Sequence, residues 1–316
     1  MPKPILEVRH LYKIFRQGWF KKGVIEAVKD INFAIGDFQR SREMDFVIPE
    51  GGVFGIVGES GCGKTTLLSL ISGIYPPSRG DIRFGGRSFR ELSRKERAQW
   101  VGIVFQNPEG ALDPAMRIKS IVEEPLRIHG IKNAETAAEE LLIKVKIPEE
   151  KWDKFPRELS VGEKQRVSLA RAVALRPKIL LADEPFSSVD AAIRYHLIML
   201  FEEMRKEFGF TLIVVSHDLK LIAYLTDIIA VMLSGLFIEW GKTEEIIKNP
   251  VHPYTSLLVK VAIEGFSPPE FEEELFVTRG CPFYYRCPYK KEVCKNEIPA
   301  WKDISPMHKV RCMLDI

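Results

Sequence analysis

Residues 53–66 constrain the fold of this chain more than any other stretch. An apolar run that ends at Val57 leads into a glycine-rich turn, and Lys64-Thr65 then opens an apolar-periodic segment. This is the pattern G-x-x-x-x-G-K-T in the context that it requires, after a predicted strand and before a predicted helix. Glycines let the backbone curl so that N–H groups point inward at phosphate oxygens, and the positive end of the helix adds to that anion site. An ordinary glycine turn needs neither the lysine nor the threonine, so the stretch predicts a nucleoside triphosphate site.

The side chains of this turn have distinct predicted roles. Lys64 can reach the outer phosphates, and the hydroxyl of Thr65 can bind Mg²⁺. Cys62 stands at a variable position of the motif, where a space-filling role is the better interpretation. The predicted nucleotide contacts are Gly58, Glu59, Ser60, Gly61, Cys62, Gly63, Lys64, Thr65 and Thr66.

Length and composition indicate a globular protein with one large α/β domain and a small appendage. The chain has 316 residues, of which 46% are hydrophobic and 28% are charged. A net charge of +3 gives no electrostatic reason to expect nucleic acid as a partner. The N-terminus lacks the apolar core of a signal peptide, and no apolar run is long enough to span a bilayer. We therefore expect a cytosolic protein whose membrane role depends on its partners.

Strand-like and helix-like patterns alternate along the chain. Alternating apolar and polar side chains predict two antiparallel strands over 5–15 and 24–35. Fully apolar runs that end in polar residues predict buried parallel strands at 179–182 and 211–215. The alternation favours an α/β fold with a mainly parallel sheet and with ligands at one edge of that sheet.

Three segments interrupt this alternation. A helical insert is predicted over about 107–169, and a helical pattern within it runs from 120 to about 146. The stretch 36–50 is a mostly polar link with a strand-like piece at 46–48, and a surface hairpin is its default interpretation. The proline-bearing stretch 250–269 is predicted to be a linker into a small cysteine-bearing tail.

Two carboxylates directly follow the predicted strand at 179–182. A P-loop ATPase needs an oxygen ligand beside the threonine, so Asp183 is predicted to hold Mg²⁺ with Thr65, and Glu184 to polarise the attacking water. A helix N-cap is the structural alternative for such a pair. His217 ends the neighbouring strand, where its imidazole could hold the γ-phosphate, although a lone histidine is more often structural.

These residues occur in the order of an ABC-type ATPase, which the chain resembles over about residues 5–245. The resemblance implies a RecA-like core with an antiparallel β subdomain and an α-helical insert. It also implies a nucleotide-binding domain over 1–248, with its helical subdomain at about 107–169, and a C-terminal extension over 249–316. The segments that look like Walker A, Q-loop, signature, Walker B, D-loop and H-loop are, in that order, 58–65, Gln106, Leu159-Ser160-Val161-Gly162-Glu163, 179–184, Ser187-Ser188-Val189-Asp190 and His217.

The resemblance further implies roles for residues outside the P-loop. Gln106 would join the Mg²⁺ and water shell and act in catalysis with Glu184 and His217. Phe15 lies where an adenine-stacking aromatic is usual, although a core phenylalanine on a strand is the alternative. Because this family closes two domains head to tail, some residues would contact ATP held by the opposite subunit; these are Ser160, Gly162, Glu163 and Asp190.

The signature departs from the family pattern at two positions. Val161 stands where glycine is usual, and Glu163 stands where glutamine is commoner. The β-branched side chain of Val161 could weaken the site that this chain completes in trans, while its own Walker site is intact. We therefore expect an asymmetric pair with a different ATPase subunit, an expectation that a homodimer hydrolysing ATP at full rate would contradict.

The C-terminal residues resemble those of oligopeptide/dipeptide/nickel-type ABC importers. Their His-Pro-Tyr segment is similar to His252-Pro253-Tyr254 here, and four cysteines follow as Cys281-x5-Cys287-x6-Cys294-x17-Cys312. The spacing alone leaves an iron–sulfur cluster, zinc, and free or paired thiols open. Some members of that family carry four cysteines in this layout around a [4Fe–4S] cluster, so the resemblance favours that cofactor, with zinc as the alternative.

The resemblance thus implies an ATP-hydrolysing subunit that powers import of peptides or related small solutes, with oligosaccharide or nickel also open. Its expected partners are a second ATPase subunit, two transmembrane permease subunits at the cytoplasmic face of the membrane and, indirectly, an extracytoplasmic solute-binding protein. One alternative is a soluble ABC ATPase that acts on nucleic acid or the ribosome, but this chain has neither a second ATPase domain nor sustained heptads. The other alternative is an ATPase regulated by the redox state of an iron–sulfur cluster.

Overall fold

The structure is a computed structural model, and it describes residues 3–16, 23–36, 44–266 and 279–314. None of the helices in these ranges is long and apolar enough to cross a membrane. In chain order the strands are β1 (Leu6–Arg16), β2 (Val24–Ile35), β3 (Val47–Ile48), β4 (Val53–Val57), β5 (Arg79–Phe84), β6 (Arg87–Ser88), β7 (Val101–Val104), β8 (Ile179–Asp183), β9 (Thr211–Ser216), β10 (Ile228–Leu233), β11 (Leu236–Lys242), β12 (Lys302–Ser305) and β13 (His308–Val310). The α-helices are α1 (Lys64–Ser72), α2 (Arg94–Trp100), α3 (Pro108–Ala111), α4 (Ile118–Ile128), α5 (Ala134–Lys144), α6 (Val161–Val173), α7 (Ala191–Phe208), α8 (Leu219–Leu225), α9 (Thr243–Lys248), α10 (Pro253–Val259) and α11 (Val293–Asn296).

The larger sheet has the strand order β12-β13-β11-β10-β4-β9-β8-β7. Strands β10, β4, β9, β8 and β7 run parallel to one another, as the apolar runs predict. Alternate residues of β8 pack into two different apolar clusters, with Leu180 in one and Leu181 in the other. The sheet is therefore covered on both faces, which is why its central strands are apolar along their whole length.

The smaller sheet has the order β3-β2-β1-β5-β6 and packs onto one face of the larger sheet. The predicted antiparallel pair is confirmed, since Leu6 lies opposite Ile35 and Arg16 lies opposite Val24. Phe33 from this sheet and Phe54 from β4 share one apolar cluster, with ring centroids 5.5 Å apart. Residues 17–22, between the two strands, and residues 37–43 of the 36–50 stretch lie outside the described residues.

The helical pattern predicted from 120 to about 146 forms two helices and not one. Helix α4 ends at Ile128, and α5 begins at Ala134. Gly130 and Asn133 between them have φ values of 68° and 59°, in the left-handed region that ends a right-handed helix. The two helices pack against each other, and α4 also packs on α6, so this part of the chain is a compact helical layer beside the sheet.

The prediction of a linker over 250–269 is wrong for its described part. His252 and Tyr254 are only 2% and 0% exposed, and α10 packs into the apolar core. Proline suggested an extended connection here, but Pro253 lies at the first turn of a helix, where it needs no hydrogen-bond donor. Farther along, β13 pairs with β11, so the C-terminal residues extend the larger sheet.

Candidate nucleotide-binding site

The glycine-rich turn follows β4 and leads directly into α1. Gly63 has a φ of 111°, and a Cβ atom there would lie 2.1 Å from the carbonyl oxygen of Ala27. A Cβ atom on Gly58 would lie 2.1 Å from the carbonyl oxygen of Met232. Neither position can therefore hold a larger residue without moving the backbone. Lys64 Nζ donates to the carbonyl oxygens of Gly58 and Glu59 at 2.7 and 2.9 Å, so the ammonium group lies inside the curl of the loop.

Thr65 and Asp183 meet beside this loop. The threonine hydroxyl donates to Asp183 Oδ1 at 3.1 Å, although the two residues are 118 positions apart in the chain. Asp183 is 5% exposed, and this burial raises the pKa of its carboxyl group in spite of the Thr65 hydrogen bond. A hydroxyl and a carboxylate oxygen at one sheet edge are the ligands that Mg²⁺ prefers, so this pair fits the metal.

Three polar side chains converge beside that pair. The Glu184 carboxylate lies 2.9 Å from His217 Nδ1 and accepts a long hydrogen bond of 3.4 Å from Gln106 Nε2. They come together because β7, β8 and β9 are neighbouring parallel strands whose carboxyl ends share one edge. A carboxylate held from two sides in this way can accept a proton from water.

Phe15 lies on β1 and is half-buried, so it is not the fully buried core residue that was its alternative interpretation. Its ring meets that of Tyr75 edge to face, with centroids 5.6 Å apart. Lys13 Nζ lies 5.1 and 5.2 Å from the two ring centroids. Tyr75 and Lys13 are neighbours that the sequence did not point to, since no motif includes them.

The signature residues form the start of α6. Ser160 caps the helix by accepting from the Glu163 N–H at 3.3 Å, while Glu163 accepts from the Ser160 N–H at 3.0 Å. Burial alone would raise the pKa of Glu163, but the ion pair with Lys151 and the bonds to Ser160 together lower it. Val161 is 41% exposed beside this cap, and a Cβ on Gly162 would lie 2.8 Å from Ile193.

Asp190 caps the next long helix and belongs to the same surface. Its carboxylate accepts from the N–H groups of Ala192 and Ile193 at 3.0 Å. Ile193 is the residue that approaches Gly162, so α6 and α7 bring the signature and Asp190 close together. No hydrogen bond in the described part of the chain joins Ser160, Glu163 or Asp190 to the P-loop, and these residues form a second, separate group.

The four cysteines of the tail line one pocket together with His252 and Tyr284. Cys281 Sγ lies 3.9 Å from His252 Nε2, and burial raises the pKa of that thiol to about 12. Burial also raises the pKa of the thiols of Cys287 and Cys312. Within the described ranges, no group of three or more histidine, cysteine or acidic side chains is arranged to hold a metal ion.

Two sets of contacts in the structure have no sequence motif. Glu239 is fully buried and accepts from the N–H groups of Val251 and His252 at 2.8 Å, with His308 Nε2 2.7 Å away. Arg286 of the tail forms an ion pair with Glu59 of the P-loop. Only the charge inside an apolar strand marks Glu239, and nothing in the sequence near Arg286 marks its distant partner.

Comparisons with known proteins point to one family. The family described as ABC transporter matches residues 41–187, and the oligopeptide/dipeptide transporter C-terminal region matches residues 238–294. The oligopeptide transport ATP-binding protein AppF of Bacillus subtilis is 34% identical, over 98% of this chain and 97% of that protein. The oligopeptide transport ATP-binding protein OppD of Salmonella typhimurium is also 34% identical, over 84% of this chain and 85% of that protein.

Solved structures show the same fold. The dimeric, post-hydrolysis structure of the ATP-binding cassette MJ0796 with ADP and Pi has a TM-score of 0.63 at 26% identity, covering 75% of this chain and 98% of that one. The structure of cbiO1 from Clostridium perfringens has a TM-score of 0.61 at 29% identity, covering 78% of this chain and 92% of that one. The chain therefore belongs to the ABC transporter ATP-binding proteins of the oligopeptide/dipeptide transport family, ATPases whose hydrolysis of ATP is coupled to transport.

Proposed function

We propose that this chain powers the uptake of peptides or related small solutes by hydrolysing ATP at the site built on Gly58–Thr66 and the ends of β8 and β9. The observation that carries the proposal is the pairing of Thr65 with Asp183 beside the Glu184–His217 contact. That arrangement supplies a metal-binding edge and a proton acceptor next to a phosphate-binding loop, which are the parts that phosphoryl transfer to water requires. The relatives named as oligopeptide transport proteins support peptides as the solute class, with oligosaccharide or nickel as the alternatives.

Each residue of the site has a proposed task. The N–H groups of the P-loop and Lys64 hold the phosphates, and Thr65 and Asp183 hold Mg²⁺, which neutralises phosphate charge when bound. Glu184 accepts the proton of the attacking water, with Gln106 and His217 fixing the position of its carboxylate. Phe15 is proposed to stack on the adenine, with Tyr75 supporting its ring edge to face.

A second ATPase subunit is proposed to complete the site. Ser160 and Gly162 lie at the start of an α-helix of 13 residues, where Ser160 and Val161 are exposed and backbone N–H groups can meet a γ-phosphate that arrives from outside. The dimeric structure of the cassette MJ0796 supports a paired arrangement for such a subunit. The partner is proposed to be a different subunit because of Val161, and Asp190 is proposed to contact it across the interface.

The membrane partners and the domain boundaries are part of the same proposal. Two transmembrane permease subunits would dock near Gln106 and the helical subdomain at about 107–169, at the cytoplasmic face of the membrane, with a solute-binding protein acting indirectly. The nucleotide-binding domain is proposed to cover 1–248 and the extension 249–316. This boundary divides the sequence and not the folded structure, because β13 of the extension is hydrogen-bonded into the larger sheet.

The extension is proposed to hold a [4Fe–4S] cluster on Cys281, Cys287, Cys294 and Cys312, with zinc as the alternative. The support is that all four thiols line one pocket. Within the described ranges these side chains are not already arranged around a single ion. The choice of the cluster over zinc rests on the cysteine layout that the chain shares with the peptide-importer family.

The cofactor is tested by metal and sulfide analysis of the anaerobically purified chain, with the Cys287→Ser variant beside it. We expect iron and acid-labile sulfide with a brown colour in the wild type, and loss of both in the variant. Stoichiometric zinc without iron would contradict the cluster. A preparation that contained neither iron nor zinc would contradict both cofactors.

The ATPase proposal is tested with Lys64→Ala in the chain assembled with its co-purified membrane proteins. Loss of the ammonium group should abolish ATP binding or hydrolysis and solute uptake while the protein stays folded. Lys309→Ala, which removes a partly exposed cation paired with Asp303, is the matched control and should keep full activity. Retained ATPase activity in Lys64→Ala would overturn the assignment.

A further inference from the structure

Glu59 is the residue at which the C-terminal extension meets the P-loop. Arg286 Nη1 and Nη2 donate to its two carboxylate oxygens at 2.7 and 3.1 Å, in a bidentate pair. Its backbone N–H donates to the hydroxyl oxygen of Tyr254 at 3.0 Å. Its carbonyl oxygen accepts from Lys64 Nζ at 2.9 Å. One residue of the phosphate-binding loop is therefore held by the extension at two places and by the P-loop lysine at a third.

The extension presents Arg286 from a rigid support. The guanidinium carbon lies 5.2 Å from the ring centroid of Phe283 and 5.7 Å from that of Tyr254. Both rings are buried, at 2% and 0% exposure, and the Arg286 side chain itself is 26% exposed. Stacking on fixed rings restricts the guanidinium group before it meets the carboxylate, so little further side-chain entropy is lost in forming the pair.

Charge makes this pair important for a site that binds a polyanion. The side chain of Glu59 is 39% exposed, and its carboxylate lies on the loop that is proposed to bind the phosphates. An unpaired carboxylate at that place would repel the phosphates of a nucleotide, and this repulsion is strong where water is partly excluded. Arg286 offsets that charge and holds the carboxylate in one direction, while Tyr254 fixes the N–H of the same residue.

We propose that Arg286 and Tyr254 are positioning residues of the ATP site, acting through Glu59 to keep the P-loop in its phosphate-binding conformation. This inference rests on the ATP binding proposed above. It assigns to the extension a direct contribution to nucleotide affinity. Burial, and after it the Glu59 charge, raises the pKa of the Tyr254 phenol, so this hydroxyl stays protonated at physiological pH.

The first test measures the Kd for ATP and the kcat and KM for hydrolysis in Arg286→Ala. We expect Kd and KM to rise about three- to tenfold, the range for a well-oriented, half-buried ion pair, with kcat little changed. Arg286→Lys, which keeps the charge and loses the bidentate geometry, should have Kd and KM values between those of the wild type and of Arg286→Ala. Lys309→Ala is the control from the same extension and should leave all three constants unchanged.

The second test asks whether Arg286 acts through the carboxylate of Glu59. In a Glu59→Gln background there is no charge to offset, so adding Arg286→Ala should leave Kd unchanged. An equal rise in Kd in both backgrounds, or no rise in either, would overturn the inference. A purely structural role would lower the melting temperature of Arg286→Ala without changing the Kd of the folded protein, and that result would overturn it too.

These outcomes separate the inference from the proposal beneath it. If the wild-type chain binds ATP and Arg286→Ala binds it equally well, only the positioning role fails. If the wild-type chain binds no ATP, the proposed function fails, and this inference fails with it. Should Arg286→Ala not fold, the Kd values for ATP of Arg286→Lys and Glu59→Gln still test the positioning role, because both variants keep polar side chains of similar size.

Discussion

At the scale of single residues, Glu184 has the most unusual backbone in the catalytic group. Its φ is 41°, in the left-handed region that a residue with a side chain rarely adopts. Its N–H donates to the carbonyl oxygen of Val215 at 3.0 Å, and this bond to β9 holds the strained conformation. Strain of this kind persists where the surrounding structure fixes it and is concentrated at functional sites. The strained backbone turns the carboxylate toward His217 and Gln106.

Glu184→Gln should separate binding from hydrolysis. Glutamine has the same shape but cannot accept the proton of water, so we expect kcat to fall by about 10²- to 10⁴-fold, the usual contribution of a general base. The Kd for ATP should stay unchanged, since Glu184 is not placed among the phosphate-binding groups. ATPase assays and equilibrium binding measure the two effects, with Glu207→Gln, an exposed change on α7, as the control. A variant with wild-type kcat would show that another group activates the water.

The sequence predicted these residues because each lies in a short motif whose local structure follows from its own residues. It could not predict the pairing of Glu59 with Arg286, which are 227 positions apart and are brought together only by the folded extension. Tyr254 was visible as part of the His-Pro-Tyr segment, but its bond to the P-loop N–H was not. Contacts between distant segments depend on packing, and one sequence carries no direct record of them.

At the scale of elements, the regular helices and strands were the most predictable features. Helix α7 (Ala191–Phe208) has clear boundary signals in the sequence, because Asp190 caps its start and Gly209 ends it in the left-handed region. The break between α4 and α5 was missed because no proline marks it, and Pro125 lies inside α4 instead. The segment after α9 was missed because its prolines suggested a linker, whereas tertiary packing made it part of the core.

Glu239 on β11 tests how firmly that segment is attached. Its carboxylate accepts hydrogen bonds from two backbone N–H groups and lies 2.7 Å from His308 Nε2. In Glu239→Gln one of these partners would face an NH₂ group, so we expect a loss of about 2–3 kcal/mol in the free energy of unfolding. Urea unfolding of the wild type and the variant measures this difference in the free energy of unfolding.

Glu244→Gln is the matched control for that experiment. Its carboxylate is exposed and pairs with Lys248 at 3.6 Å, so the change should alter the free energy of unfolding by less than about 0.5 kcal/mol. If both variants were equally stable, the buried carboxylate would not be what attaches β13 and the 250–252 segment to β11.

At the scale of the whole molecule, the alternation of strands and helices was enough to predict the α/β class, while the RecA-like core with its antiparallel β subdomain was implied by the family resemblance. It fixed a parallel sheet with its polar strand ends at one edge, and the P-loop, Asp183 and His217 lie at that edge. It did not predict that β12 and β13 would extend the same sheet, since short strands near the end of a chain carry a weak pattern. The nucleotide site and the cysteine pocket consequently belong to one continuous body, with α10 and β11 between them.

The last prediction concerns the pairing of two such bodies. Val161 is 41% exposed at the first position of α6, where a partner's γ-phosphate would approach. Val161→Gly removes the branched side chain, so the chain alone should hydrolyse ATP faster, on the order of tenfold for about 1.4 kcal/mol of recovered contact with the phosphate. Val161→Thr keeps the branching at nearly the same volume and should remain as slow as the wild type. Equal ATPase rates of the three purified proteins would show that Val161 does not weaken the site completed in trans and would remove the reason to expect an asymmetric pair.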